Sequence, residues 1–457
     1  MLASAITPAV LISAVLAAAP GIRPGQQLTY HGTVALRDSD GAANAPQPKS
    51  FDLRWIVVKA DETGAKLLWL VDEQGPGAWP WPDRFGQLSL DAKGVAVAGD
   101  VGPALLYDYG DGESVVPLPP PLAPSEKPLA AGVKWSLAGE DYSVQGERKA
   151  DGREGWQVRV ENRYGVQRNL QIDKTAPLLL AQNQRVFMNM GSEYELAMKL
   201  TSVADLSAEA LATTEGTIAR LLELRGKLQR PTRTPDGAWN PAQLKQLAEA
   251  LPEIERRAAG SPLAALLAAA TRDSKAQGGR ADEIAALVAR QLGKPLAPFS
   301  LPGLAGGSLT EKDLVGQVTV LHFWDYKDQP LKEPYGQVGY LEFLFQKRKD
   351  QGVKVYGVAV DPRLADEAGR RAATTGVRKL KAFMNLTYPI ALDGGELIKA
   401  IGDPRTAGAA LPLFVVIGRD GKVTHYHVGF YDVDRQIGLK ELSAAVDEAL
   451  KTQPPAK

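Results

Sequence analysis

Four histidines, eight tryptophans and no cysteine at all set the range of chemistry open to this chain. His425 and His427 stand at i and i+2, so a strand would put both rings on one face, which is how a metal site can begin. No third ligand follows at a spacing that would complete one, and His322 falls in a separate apolar run. The pair therefore reads as surface or hydrogen-bonded polar residues, and no metal is expected. A Ser-His-Asp triad on an α/β scaffold would announce itself by a Gly-x-Ser-x-Gly elbow, and none is present. Asp108-Tyr109-Gly110-Asp111-Gly112-Glu113 is acidic but lacks the ligand spacing of an EF-hand loop, so a tight turn between strands is expected. Asp361-Pro362, after an apolar run, reads as a turn at a strand end. Trp79-Pro80-Trp81-Pro82 has two readings: an exposed stacking platform for sugar or peptide, or apolar cover for the open end of a sheet. The cover is the favoured one.

The missing cysteine excludes disulfides, thiolate nucleophiles, cysteine metal sites and a lipid-modified N-terminal cysteine. Lys+Arg and Asp+Glu both number 53, so the net charge is zero. A nucleic-acid binder normally carries a basic excess, so that class is disfavoured. Hydrophobic residues at 44% and charged residues at 23% are ordinary globular values and argue against general disorder. At 457 residues the chain has room for about three domains. No cofactor is called for.

The elements that must position any site change character along the chain. Residues 1–20 carry the apolar run Leu11–Ala19, ending in small residues, which reads as a secretory signal peptide or an uncleaved N-terminal anchor. No later run is long and uncharged enough to be a membrane span. From 21 to 203 the pattern has period two. Phe51, Leu53, Trp55 and Val57 alternate with polar neighbours, as do Trp156, Val158 and Val160, and Tyr194, Leu196, Met198 and Leu200. An antiparallel sheet, curled or partly barrel-like, is expected. Pro117–Pro124 is expected to be an extended connection outside any ladder. From 204 to 292 the period becomes helical, with three to four short helices forming a connector. Asn240-Pro241 and Ser261-Pro262 are N-terminal signals, and Gly278-Gly279 is expected to open the last helix. From 293 to 453 strands alternate with helices: Val318–Trp324, Tyr335–Lys349, Val353–Val360, Asp366–Met384, a hairpin around Arg419-Asp420-Gly421, and Leu439–Leu450. The fold class is multidomain α+β, with an N-terminal antiparallel β-rich domain, a helical connector and a C-terminal α/β domain.

Five segments of that last domain occur in a telling order: Gly293-Lys294-Pro295 with Phe299 and Leu301; Gly316–Trp324; Val353–Val358; Tyr388-Pro389-Ile390 with Asp393; and Leu411–Ile417 followed by Asp420-Gly421-Lys422-Val423. Together they resemble the TlpA/ResA-type thioredoxin-like proteins, which overlap with the thiol-specific antioxidant (AhpC/TSA) group. The resemblance implies a thioredoxin-like fold and a thiol-disulfide reductase or peroxidase activity, with Pro412 in the place of the family's cis-proline. The departure is at the chemistry. Counting from Phe323, the two active-site cysteine positions fall on Asp328 and Leu331, with Pro330 kept between them. Disulfide exchange needs thiolate attack on sulfur. A carboxylate cannot form the mixed disulfide and a leucine cannot resolve it, so no thiol-disulfide or peroxidase turnover is expected of the chain alone.

Asp328 then reads either as the N-cap of the helix that follows or as part of a ligand face. The face the resemblance leaves comprises Trp324, Tyr326, Lys327, Asp328, Pro330, Leu331, Leu411 and Pro412, where an extended peptide could add as a strand. The expected protein is exported, periplasmic or otherwise extracytoplasmic, and lacks catalytic residues. It would bind or scaffold an envelope protein or peptide. The alternatives are an oxidoreductase by family membership, with cysteines supplied by a partner chain, and a purely structural envelope protein.

Overall fold

Alternating apolar residues along most of the twelve strands among the described N-terminal residues decide the first half of the molecule. The computed structural model describes residues 21–37, 47–109, 112–125, 128–150, 152–188, 191–230, 232–233, 237–325 and 337–452. The N-terminal apolar run and residues 326–336 lie outside these. The chain forms two units, Met1–Lys275 and Ala276–Lys457.

In the first unit the strands are β1 (Gln26–Leu36), β2 (Lys49–Asp61), β3 (Gly64–Gln74), β4 (Phe85–Asp91), β5 (Ala104–Asp108), β6 (Glu113–Pro117), β7 (Lys134–Leu137), β8 (Glu140–Ala150), β9 (Arg153–Asn162), β10 (Gly165–Asp173), β11 (Leu179–Met188) and β12 (Ser192–Asp205). Ten of them form one antiparallel sheet in the order β4-β3-β2-β1-β12-β11-β10-β9-β8-β7. Phe51, Leu53, Trp55 and Val57 of β2 share one buried cluster with Tyr194, Leu196 and Met198 of β12 and with Trp135 and Tyr142 from the far end of the sheet. One face of so wide a sheet closes over a single core only if the sheet curls.

β5 and β6 form a separate hairpin whose Leu105, Tyr107 and Val116 fill that core. Between them the Tyr109 N–H donates to the Gly112 carbonyl at 3.1 Å, as a turn requires, while Gly110 and Asp111 lie outside the described residues. The proline-rich stretch corrects one expectation, because it does join ladders. Pro117 pairs with Ala104 and Leu122 bridges Leu178. The Leu179 N–H donates to the Pro121 carbonyl, and the Ala123 N–H to the Pro177 carbonyl, each at 2.8 Å. Proline lacks the donor but keeps its acceptor, and the intervening Leu and Ala supply the N–H groups.

The Trp-Pro-Trp-Pro segment is buried. Trp79 donates Nε1–H to the Ala104 carbonyl at 3.0 Å, and Trp81 stacks with Phe85 and meets the Trp239 ring at a tilt. It is cover, not a platform.

The opposite face of β2–β4 is also buried, through Ile56, Leu68 and Leu70, because helices lie on it. α1 (Ala208–Lys227) is capped by Ser207 and α2 (Pro241–Arg257) by an Asn240–Gln243 capping box. Arg225 lies over the Phe85 ring, Arg230 pairs with Asp83 in a buried bridge, and Lys66 pairs with Glu215. α3 (Ala264–Gln291) runs unbroken through Gly278 and Gly279, which do not open a new helix. The two glycines weaken helix propensity by about 1 kcal/mol each, too little to end a 28-residue helix.

One buried ion pair organises the mouth of the first core. Lys49 and Glu73 meet at 3.0 Å with both side chains fully buried. Glu73 also accepts the Trp79 and Leu106 N–H groups, and Lys49 donates to the Gly77 carbonyl. Removing one partner strands the other charge in the interior. Lys49→Met should therefore cost about 3–5 kcal/mol of stability in urea unfolding. The same substitution at the exposed Lys59, paired with Asp61, should leave stability close to the parent's, because solvent screens a surface pair.

In the second unit a short hairpin, β13 (Ser300–Pro302) and β14 (Ser308–Thr310), precedes β15 (Val318–Trp324), α4 (Val338–Arg348), β16 (Val353–Val360), α5 (Glu367–Phe383), β17 (Ile390–Asp393), α6 (Glu396–Ala400), β18 (Leu413–Ile417), β19 (Val423–Val428) and α7 (Lys440–Leu450). The sheet order is β17-β16-β15-β18-β19. β15, β16 and β17 are parallel, and β18 and β19 are antiparallel to their neighbours. Every residue of β15 is buried, as a central strand covered on both faces requires. Val318, Val320 and Trp324 face a core with α4, α5 and α7, while Leu321 and Phe323 face one with α6 and the β13–β14 hairpin.

Candidate functional site

The buried run of β15 ends at Trp324, and its antiparallel partner β18 begins two residues after Leu411. This register brings Leu411 and Pro412 beside the end of β15. The Leu411–Pro412 bond is cis. The Pro412 carbonyl accepts the Gly429 N–H at 2.8 Å. Neither the N–H nor the carbonyl of Leu411 has a hydrogen-bond partner among the described residues.

Of the face read from the sequence, Tyr326, Lys327, Asp328, Pro330 and Leu331 lie outside the described residues. Trp324 is only 3% exposed and packs beside Gly357, where a Cβ would stand 3.3 Å from the indole nitrogen and 3.1 Å from the Tyr388 ring. Its place is in the core. Leu411 is 9% exposed and Pro412 is buried, while Ala410 just before them is exposed.

The loops around this point are held by carboxylates. Asp393, fully buried at the end of β17, accepts the N–H groups of Gly395, Glu396, Leu397 and Ile398 and so starts α6. Asp361 and Asp403 build the same device twice. Each begins an Asp-Pro-Arg turn, caps the arginine N–H two residues on, and takes that arginine's guanidinium through Nε and Nη2. Burial pushes both carboxyls up, but the side-chain and main-chain bonds from Arg363 and Arg405 outweigh it and hold both below the usual carboxylate value. The charges of Asp325 and Asp393 also act on Arg405. The Asp361 turn was legible in the sequence. The second copy at Asp403 was missed, although the repeated tripeptide was its signal.

Behind the edge lies an aromatic cluster. Phe414 stacks on His322 at 4.6 Å between ring centres and meets Tyr431 at 4.9 Å; Tyr431 stacks on His427 at 3.8 Å. His425 Nε2 meets the Tyr431 hydroxyl at 2.7 Å. The Gln337 side chain clamps the Tyr431 main chain, donating to its carbonyl at 2.7 Å and accepting its N–H at 3.1 Å. His425 and His427 do share a face, but their neighbour is a tyrosine. Among the described residues no three His, Asp or Glu side chains are grouped to hold a metal ion. Tyr431 and Gln337 were missed because nothing in the sequence marks contacts made across 94 residues.

A strand order of this kind, a cis-proline before β18 and a fully buried central β15 coincide with a match to the AhpC/TSA family over residues 292–426. The C-terminal domain resembles thioredoxin-like proteins. Both active-site cysteines of that group are missing. Among similar solved structures, a thiol:disulfide interchange protein DsbE from Chlorobium tepidum shares 26% identity, over 35% of this chain and 98% of its own, with a TM-score of 0.27. A thioredoxin from Neisseria meningitidis shares 22% over 35% and 91%, with a TM-score of 0.27. A secreted disulfide oxidoreductase from Mycobacterium tuberculosis shares 20% over 33% and 95%, with a TM-score of 0.25. No curated protein matches the chain.

The paired Asp-Pro-Arg turns give a stability test. Asp403→Ala removes a cap and a bidentate charge pair and should cost about 1–2 kcal/mol in urea unfolding near neutral pH. A carboxyl whose folded value is lowered stabilises above its ordinary value of 3.8 and loses that contribution as the pH falls below it. The gap between variant and parent should therefore close in acid.

Proposed function

We propose that this protein is an extracytoplasmic, redox-inactive binding protein whose thioredoxin-like domain captures an extended segment of an envelope protein or peptide. The supporting observation is a pairing of loss and retention. The chain contains no cysteine, yet the cis Leu411–Pro412 element stands at the end of β15 with both Leu411 main-chain groups lacking a hydrogen-bond partner among the described residues. Strand addition draws its affinity from such open N–H and carbonyl groups and needs no thiol. The apolar run at residues 11–19 supports export. Among the described residues, no helix is long and apolar enough to cross a membrane.

Position-specific photo-crosslinking tests the reading. A photo-reactive side chain at Ala410, and others at Tyr326 and Leu331, should trap the same discrete partner from an envelope extract. One at the exposed Ala444 on α7 should not. An equal yield at all four positions would favour a purely structural role for the domain. Purified protein should reduce no disulfide substrate, and reduction by the chain alone would overturn the redox-inactive assignment.

A further inference from the structure

Tyr431 joins β19 and the start of α4 beside the Leu411–Pro412 edge. Its ring lies on His427 and its hydroxyl on His425, both from β19. Its main chain is clamped by Gln337 from the start of α4. Two residues earlier, the Gly429 N–H is bonded to the Pro412 carbonyl. We propose that His425, His427 and Tyr431 form a proton-sensitive latch, which holds residues 429–439 on the Pro412 carbonyl, so that the edge keeps its binding geometry with Leu411 uncovered, and lets them go when the imidazoles are charged. This rests on the reading of that edge as the binding face, and it adds the regulation of that face.

The geometry favours neutral rings in the closed state. His427 Nε2 is buried with no partner among the described residues, so a proton there would add a buried donor and a charge without an acceptor. His425 and His427 lie nearly parallel with centres 6.2 Å apart, so charging one opposes charging the other. The groups facing them are Tyr431 from the segment itself, Phe414 and His322 from the sheet, Gln337 from α4 and Glu441 from α7. Of these, the Glu441 carboxylate favours the charged rings, as does a main-chain bond from His427 to Phe430. Burial outweighs both and holds each imidazole below its ordinary 6.5. The released state takes up protons near 6.5 and the closed state only below it. Closure is therefore complete above about pH 6.5 and weakens as the pH falls through and below that value.

Amide exchange of the full-length 15N-labelled protein, read by NMR at pH 7.5, 6.5 and 5.5 and corrected for the intrinsic rate, tests the latch without any partner. Protection at Gly429 and Tyr431 should fall below pH 6.5, by up to about tenfold per pH unit for each proton taken up, while Val415 in β18 holds. His427→Phe keeps a stacking ring without a titrating nitrogen, and His425→Gln keeps a polar partner for the Tyr431 hydroxyl. Together they should flatten the response. Unchanged protection in the parent, or an equal fall in the double variant, would overturn the proposal. If the double variant loses Val415 protection at pH 7.5, the parent's imidazole signals decide instead. Either His427 titrates over the interval in which Gly429 and Tyr431 lose protection, or the latch is refuted. Crosslinking at Ala410 at pH 7.5 reads the binding face separately, so the failure of one claim does not mask the other.

Discussion

The second unit is organised by where β15 stops. Seven consecutive buried residues lock that strand between β16 and β18, with cores on both faces. Its end, and the cis-proline element paired beside it, therefore have little freedom to move. In a thiol enzyme of this fold the same constraint would aim a nucleophile. Here the residues that follow Trp324 in sequence include no cysteine, and beside the strand's end the Leu411 N–H and carbonyl have no hydrogen-bond partner among the described residues. Removing cysteine leaves these main-chain groups untouched, because strand addition and thiol exchange use different atoms of neighbouring residues.

A chain without disulfides must hold its loops by other means, and this one uses carboxylates. Glu73 fixes the Trp79 segment and β5 from inside the first core. Asp83 receives Arg230 and the Arg233 N–H. In the second unit Asp393 gathers four main-chain N–H groups after β17, while Asp361 and Asp403 each take one main-chain N–H and the guanidinium of their own turn's arginine. Each of these carboxylates has several donors, which is the condition for a buried charge to be tolerated. Their local role is to set loop positions, so they carry specificity of structure more than net stability.

The sequence made the strands and most helices readable where one face was buried and one wet. Phe51, Leu53, Trp55 and Val57 announce β2, and the apolar run Val318–Trp324 announces a strand buried on both faces. It was less legible where a second layer intervened. Leu67–Val71 in β3 is buried continuously, because helices cover the outer face of β2–β4, and no local period encodes that. Gly278-Gly279 looked like a helix boundary and is helix interior. Pro117–Pro124 looked excluded from pairing, yet its carbonyls and its Leu and Ala N–H groups are used. At the candidate site the cis-proline position could be placed from the order of motifs. The Tyr431 cluster could not, since it depends on Gln337 and His425 converging on a segment that no local sequence pattern marks.

A binding face at the Leu411–Pro412 edge requires the Leu411 main chain to be open in the free protein at neutral pH. Site-resolved hydrogen exchange of the full-length protein measures this without knowing the partner. A Leu411 amide exchanging close to its intrinsic rate, beside a strongly protected Val415, is the predicted result. Protection of Leu411 comparable to that of Val415 would mean that the chain already covers its own edge. That would contradict a retained binding face.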